Sequence, residues 1–117
     1  MRIAIIGSRD FNDFYAMKWF ITSMIQVNRN DIIISGGAEG ADTLAEKFAE
    51  LYHLKTQIYY ADWNKYGKQA GPMRNHDIIA NADICFAFKT HEDSKGTNHS
   101  IQLANDKGIP CHVYKKY

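Results

Sequence analysis

The 117-residue sequence predicts one doubly wound α/β domain, with a sheet of about five parallel strands and four covering helices. Three observations support this fold class. Short apolar runs alternate with helical stretches along the whole chain, which is the order of a parallel sheet. The runs are continuous and not alternating, as in strands buried on both faces. The turns that follow the runs are rich in glycine, serine and basic residues. The length suits a single domain and no linker is seen, so the predicted domain spans residues 1–117.

The elements follow in chain order from the apolar periodicity. The first run ends at Gly7, the second ends at Ser35-Gly36-Gly37, and Pro72 suits the first turn of a helix. The first helix is predicted to leave Tyr15 and Trp19 opposite its core-facing stripe. That stripe is made of Phe14, Met17, Ile21, Met24 and Ile25. The predicted strands cover residues 3–6, 32–34, 57–60, 84–88 and 109–114, and the predicted helices cover 13–27, 39–52, 72–80 and 97–107.

Composition excludes several classes of protein. The formal net charge of +1 argues against a nucleic-acid binder that works by bulk charge. No window approaches the ~18 apolar residues of a membrane helix, and the N-terminal apolar run is too short for a signal peptide. Cys85 and Cys111 lie in apolar runs and are predicted to be buried thiols of a reducing compartment. We therefore expect a cytoplasmic protein with no membrane partner.

Ligands of open parallel sheets bind at the carboxyl ends of the strands, so the segments after each strand are the candidates for a site. Gly36, Gly37 and Gly40 open the second helix and suit a phosphate cradle, although a tight turn with positive φ would explain them equally. Gly96 and Thr97 open the fourth helix in the same way, and the alternative for Thr97 is an N-cap. Two such helix starts at one edge favour an anionic ligand.

Charged and aromatic side chains follow the same strand ends. Arg9, Lys68 and Arg74 are candidates for phosphate neutralisation, and a surface ion pair is the alternative for Arg74. Asp42 would either complement the dipole of its helix or hold a ribose hydroxyl. Trp63 lies in a long loop with basic residues and suits base stacking, but it could equally close the edge of the sheet.

Several familiar motifs are absent from the sequence. There is no Walker-type phosphate loop, which excludes a Walker-type NTPase. There is no G-x-G-x-x-G after the first strand, which argues against an ordinary NAD dehydrogenase. No metal site or cofactor is predicted, because no histidine pair has zinc-ligand spacing and the polar loop around His91 suits a solvated segment. No nucleophile elbow is present, which excludes a standard acyl-transfer triad.

Four blocks of sequence together resemble the SLOG superfamily, a Rossmann-like group that includes the DNA-processing SMF proteins and the LOG-type phosphoribohydrolases that activate cytokinins. The blocks are GSRDF, SGGAEGAD, DWNKYGKQAGPMRN and KGTNHSIQLA, and the resemblance runs from Arg2 to about His112. The small YspA-like, cpYpsA-related branch is the most similar. The resemblance implies a Rossmann-like fold and a site for a nucleotide derivative at the edge already identified.

The same resemblance bears on catalysis. LOG-type enzymes carry P-G-G-x-G-T-x-x-E, which binds phosphate and supplies a glutamate. Gly96 and Thr97 match this motif, but His99 and Ser100 stand where the glutamate would be, so that role does not transfer. Arg74 is similar to the arginine that these enzymes carry at the start of the corresponding helix.

The sequence therefore predicts a nucleotide-binding protein for an NAD-like or ADP-ribose-like compound, acting as a sensor or as an N-glycoside hydrolase. The alternatives are an SMF-like nucleic-acid module and an interaction domain with a vestigial site. A homo-oligomer is expected, through Tyr15 and Trp19 or another helix. The predicted catalytic residues are Asp42, Glu39 and Arg74. The predicted ligand contacts are Gly7, Ser8, Arg9, Gly36, Gly37, Gly40, Lys68, Asn75, Gly96 and Thr97, with Trp63 stacking on the base.

Overall fold

A computed structural model describes all 117 residues as a five-stranded parallel sheet of order β3-β2-β1-β4-β5. The order places β1 and β4 at the centre, where their registers join Ile3 to Ile84 and Gly7 to Phe88. From β1 the chain continues to β2 and β3 on one side of the sheet, and from β4 it continues to β5 on the other side. The strand order therefore reverses between β1 and β4. The strands are β1 (Arg2–Gly7), β2 (Ile32–Ser35), β3 (Lys55–Ile58), β4 (Ile84–Lys89) and β5 (Cys111–Lys115).

Four helices of 11 to 13 residues and one short helix connect the strands. They are α1 (Phe14–Met24), α2 (Ala41–Leu51), α3 (Trp63–Tyr66), α4 (Ala70–Ala80) and α5 (Lys95–Lys107), with a 3₁₀ turn at Gly67–Gln69. The predicted fold class, a doubly wound α/β domain with five parallel strands and four main helices, is confirmed.

The sheet separates two apolar layers because successive side chains of a strand point to opposite faces. Ile3 and Ile5 of β1 pack with α1 and α2, whereas Ala4 and Ile6 pack with α4 and α5. Both layers are fully buried at these central positions, which explains why the strands read as continuous apolar runs. Phe86 and Phe88 extend the first layer, in which Phe20 contacts both rings edge-on.

Some details of the prediction differ from the structure. Met24 was expected to face the core, but it ends α1 with 49% of its surface exposed, and Phe20 is buried instead. Met24 is the last residue of α1 and lies outside the apolar layer, against which Ile25 and Val27 pack after the helix has ended. The long loop in which the sequence places Trp63 is wrong in part, because residues 61–71 contain α3, the 3₁₀ turn and the first residues of α4.

Other expectations about the surface have different outcomes. Cys85 is buried as expected, whereas Cys111 on the edge strand is only partly buried. Tyr15 and Trp19 are 81% and 64% exposed on α1, and the homo-oligomer expected there stays a prediction. None of the helices has the length and the apolar character needed to cross a membrane.

Candidate functional site

A cavity of about 710 Å³ opens at the carboxyl ends of β1 and β4, between the N-terminal parts of α2, α4 and α5. This is the position at which open α/β sheets bind ligands, because the chain leaves the two central strands in opposite directions there. The volume lies within the usual range for small-molecule sites. The predicted residues that line it are Gly7, Ser8, Arg9, Asp42, Trp63, Arg74, Asn75, Gly96 and Thr97.

A second cavity of about 380 Å³ adjoins the first on the side of β2 and β3. Arg9, Ala38, Trp63 and Arg74 line both cavities and therefore form their common boundary. The second cavity also contains the predicted residues Gly36, Gly37 and Glu39. The two predicted residues that line neither cavity are Gly40 and Lys68.

The glycines at the start of α2 are required by close packing. Gly40 has φ +70°, and a Cβ added there would lie 2.3 Å from the carbonyl oxygen of Arg9. A Cβ on Gly36 would lie 2.7 Å from Arg74 Nη1 and 2.9 Å from Asp42 Oδ2. The interpretation of these glycines as a tight turn is therefore sufficient by itself, and at Gly37 a positive φ of 69° supports it as well.

Asp42 is the second residue of α2, and its carboxylate turns back toward the segment that precedes this helix. Its carboxylate accepts a hydrogen bond of 3.1 Å from the N–H of Ala38, and only 7% of its surface is exposed. Burial raises the pKa of Asp42, although the Ala38 N–H and the nearby charges of Arg74 and Arg9 act in the opposite direction. A buried acid of this kind at the edge of a cavity can hold a hydroxyl group or transfer a proton.

Arg74 reaches from α4 to the boundary between the two cavities. Its Nη1 donates to the carbonyl oxygen of Gly36 at 3.0 Å, and its Nε donates to Asn75 Oδ1 at 3.3 Å. No carboxylate lies within 4.0 Å of its guanidinium, so the ion pair considered from the sequence is absent. Burial lowers the pKa of Arg74, and the charge of Asp42 opposes this effect. The guanidinium is thus a partly desolvated cation that has no carboxylate in direct contact, although the charge of Asp42 acts on it.

The start of α5 presents free backbone donors to the main cavity. The N–H groups of Lys95, Gly96 and Thr97 have no hydrogen-bond partner in the protein. The N-cap residue Ser94 does not cap them, because its hydroxyl donates to the carbonyl of His91 and contacts Ser8 Oγ at 3.0 Å. The N-terminus of a 13-residue helix also carries a partial positive charge, so this edge of the cavity favours an anion.

The loop after β4 is tied to the loop after β1. The N–H of Thr90 donates to Ser8 Oγ at 3.1 Å, and the Thr90 hydroxyl donates to Asp10. His91 Nε2 lies 2.9 Å from Asp10 Oδ2. The hydrogen bonds from the Thr90 hydroxyl and from His91 lower the pKa of Asp10, and the one from the Thr90 hydroxyl has the larger effect. The rim of the cavity is therefore held in place before any ligand arrives.

Trp63 forms the opposite wall. It follows Asp62, whose side chain caps α3 by accepting from the N–H of Lys65. Its indole is 50% exposed and lies against Gly71, where an added Cβ would be 3.1 Å from Trp63 Cη2. Glycine at position 71 therefore lets the ring lie close to the start of α4. The accessible part of the indole is a flat apolar surface at the mouth of the cavity.

Asn75 and His99 join α4 to α5 beneath this wall. Asn75 is 7% exposed, and its Nδ2 lies 3.4 Å from the carbonyl oxygen of Gly96 and 3.2 Å from His99 Nδ1. The His99 ring also contacts His76, with 5.5 Å between ring centroids. This side-chain pair thus fixes the geometry of the α5 start relative to α4.

Sequence reasoning missed several lining residues. They come from the loops after β1 and β4 and from α5: Asp10, His91, Ser94, His99 and Ser100. The sequence placed His91 in a solvated loop, and it is indeed exposed, but it faces the cavity. The signal that could have found these residues is position alone, since all of them follow the carboxyl ends of the two central strands.

Comparisons with known proteins agree with this architecture. The sequence model of the YspA, cpYpsA-related SLOG family matches residues 1–66, which extend from β1 to the end of α3. The Gene 61 protein of Mycobacterium phage D29 is 38% identical over 118 residues, which cover 93% of this chain and 92% of that protein. No solved structure is significantly similar to the chain.

Proposed function

This chain belongs to the YspA, cpYpsA-related SLOG family, and on that premise we propose that its main cavity binds a nucleotide or a nucleotide-derived small molecule. Membership of the family fits a function related to nucleotides. The finer proposal rests on the chemistry of the cavity, in which groups suited to a phosphate, a sugar and a base line one space of about 710 Å³.

One observation carries the proposal: two arginines that form no ion pair and the free backbone donors of α5 meet in the same cavity. Arg9 and Arg74 both line it, and neither has a carboxylate within 4.0 Å of its guanidinium. The free N–H groups at the start of α5 line it as well. Arg74 is partly buried, and the only opposing charge that acts on it is that of Asp42 beyond ion-pair distance, so a bound anion would stabilise this guanidinium.

We place the phosphate at the start of α5, beside Gly96 and Thr97, with the two arginines completing its neutralisation. The indole of Trp63 offers a stacking surface for the base at the mouth of the cavity. Asp42 lines the same cavity, where it would accept a hydrogen bond from a ribose hydroxyl. Glu39 lines the smaller cavity and is exposed, which favours Asp42 over Glu39 for this role.

Hydrolysis of an N-glycosidic bond is the second candidate function, and Asp42 is the observation that favours it. Its raised pKa keeps a larger fraction of the carboxyl protonated than in water, as a proton donor to a leaving base requires. Water would attack C1′ as the bond from C1′ to the base nitrogen breaks, the base would take the proton of Asp42, and the proton lost by the attacking water would restore the Asp42 carboxyl group. A sensor would bind the same ligand without this step.

The proposal is tested by thermal shift with nucleoside monophosphates, cyclic nucleotides, NAD and ADP-ribose. A ligand at 100 times its Kd adds about 2.7 kcal/mol of stability, which raises the melting temperature by roughly ten degrees in a domain of this size. The Trp19→Phe variant leaves Trp63 as the one tryptophan, so quenching of its fluorescence by the same ligand would report stacking. Chromatography of each hit then detects released base.

The matched variants are Arg74→Ala and Arg29→Ala. Arg74→Ala should lower affinity at least about tenfold, because a hydrogen-bonded ion pair contributes about 1.5–3 kcal/mol. Arg29→Ala should leave affinity unchanged, since this exposed arginine lies at the opposite end of the sheet, just before β2. Equal affinity in both variants would remove Arg74 from the site. If every nucleotide fails and single-stranded DNA binds in a salt-dependent way, the nucleic-acid alternative replaces the proposal.

A further inference from the structure

The amide of Asn75 contacts three groups whose hydrogen-bonding characters differ. Arg74 Nε is a donor only, and it lies 3.3 Å from Asn75 Oδ1. The carbonyl oxygen of Gly96 is an acceptor only, and it lies 3.4 Å from Asn75 Nδ2. The orientation of this buried amide is therefore determined by its neighbours, with the oxygen toward the arginine and the nitrogen toward α5.

This orientation determines the state of the neighbouring histidine. His99 Nδ1 lies 3.2 Å from Asn75 Nδ2, which can only donate. Nδ1 must then accept, so the neutral imidazole carries its hydrogen on Nε2. His99 lines the main cavity, and its Nε2 has no hydrogen-bond partner within the protein. A directed donor is thus available to a ligand beside the free N–H groups of α5.

We propose that Asn75 is a positioning residue that fixes His99 as an Nε2–H donor, and that His99 uses this donor to bind an oxygen of the ligand phosphate. The sequence suggested Asn75 as a direct ligand contact. Both hydrogens of its Nδ2 are directed at Gly96 and His99 instead, which leaves none for a ligand. The positioning role stands on the protein alone, whereas the role of His99 rests on the proposed nucleotide site.

The choice of a phosphate oxygen follows from where His99 lies. It is the fifth residue of α5, one turn after Lys95, and the unpartnered N–H groups of the first turn are its neighbours. Nε2–H would add one side-chain donor to these backbone donors, so the group that receives them must offer several acceptor oxygens in a small volume. A phosphomonoester does so, and a nucleoside without phosphate does not.

Two substitutions of His99 separate the two ring nitrogens. In His99→Gln the side-chain amide can place a donor near the former Nε2, whereas in His99→Asn it reaches only the former Nδ1. The probes are adenosine 5′-monophosphate, adenosine and inorganic phosphate, measured by calorimetry on the full chain. We expect His99→Gln to bind the monophosphate within about threefold of wild type and His99→Asn to lose about tenfold or more. Adenosine should bind all three proteins equally.

The positioning role has a readout that needs no ligand. Imidazole ¹⁵N spectra should show wild-type His99 with a bare Nδ1 and a protonated Nε2, the signal being assigned by its loss in His99→Gln. In Asn75→Asp the carboxylate can only accept, so Nδ1 should gain a proton, while the spectrum of the distant His112 should not change. A wild-type ring protonated on Nδ1 would overturn the positioning role.

The two roles fail in different ways. Monophosphate affinity that is equal in wild type and His99→Asn would overturn the contact between His99 and the phosphate, although nucleotide binding itself would stand. If wild type binds none of the phosphate-containing probes, the contact falls together with the proposed site for a phosphomonoester. The ¹⁵N spectra would still decide the role of Asn75.

Discussion

The helix starts of α2 and α5 look alike in sequence, because both carry glycine beside small polar residues directly after a strand. The structure shows that the two helix starts differ in the hydrogen bonds of their N–H groups and in the presence of a nearby carboxylate. At the start of α2, the N–H of Ala41 donates to the carbonyl of Ser8 at 3.2 Å, the N–H groups of Asp42 and Thr43 are unpaired, and the Asp42 carboxylate lies beside them and accepts from the N–H of Ala38. At the start of α5, Lys95, Gly96 and Thr97 keep their N–H groups unpaired.

The glycines differ in the same way. An added Cβ would collide with backbone at Gly40 and with charged side chains at Gly36, but it would meet nothing within 4 Å at Gly96. Glycine at the start of α2 thus lets protein segments approach each other, whereas glycine at the start of α5 keeps an open surface. The comparison shows that a glycine-rich helix start favours an anion site where its donors are free, its glycine leaves open space, and no carboxylate of the protein already lies beside it.

The largest expected effect separates the two kinds of glycine. Gly40→Ala should lower the free energy of unfolding by about 3 kcal/mol, since it combines a positive φ with a backbone collision. The melting temperature should fall by roughly 10–20 °C. Gly96→Ala should stay within about 1 kcal/mol of wild type, because alanine is the better helix former and has room there. Equal melting temperatures for the two variants would contradict the comparison.

An intermediate effect is expected when the start of α5 is given a carboxylate of its own, as the start of α2 has in Asp42. Ser94→Asp should cap the free N–H groups of α5 and compete with the ligand phosphate, so affinity should fall about tenfold or more. Ser94→Ala is the control, since it loses the contacts to Ser8 and His91 without adding a carboxylate. Nucleotide titrations compare the two variants, and equal affinities would show that the phosphate does not lie at this helix start.

The smallest effect concerns the carboxylate at the start of α2 and depends on pH. Because the pKa of Asp42 is raised on folding, its protonated form is favoured in the folded state, and stability is lost as the pH rises through the folded pKa. Asp42→Asn should therefore gain stability relative to wild type from about pH 4 upward, by about 1.4 kcal/mol for each unit of the shift. Thermal unfolding between pH 4 and 7.5 measures this difference, and a difference that does not change with pH would contradict the burial effect.

Much of the candidate site could be located from the sequence, because the residues that follow the strand ends mark one edge of the sheet. Parallel strands all end at one edge, so Ser8, Arg9 and Asp42 could be brought together without coordinates. Lys68 could not be placed in this way. It lies in the 3₁₀ turn Gly67–Gln69, and the sequence did not predict this turn or the helix α3 before it. His91 and His99 were missed for a different reason. His91 lies in an exposed polar loop and His99 on a helix, and the sequence of neither segment indicates which side borders a cavity.

The sequence by itself determined the order of strands and helices, the edge of the sheet that holds the site, and the family. These properties follow from local periodicity and from residue types after strand ends, both of which a linear chain displays. Only the tertiary structure decided which donors are free, which glycines are forced, and how Asn75 orients His99. Those properties depend on distances between atoms up to 86 positions apart in the chain, such as Ser8 Oγ and Ser94 Oγ, and packing alone sets such distances.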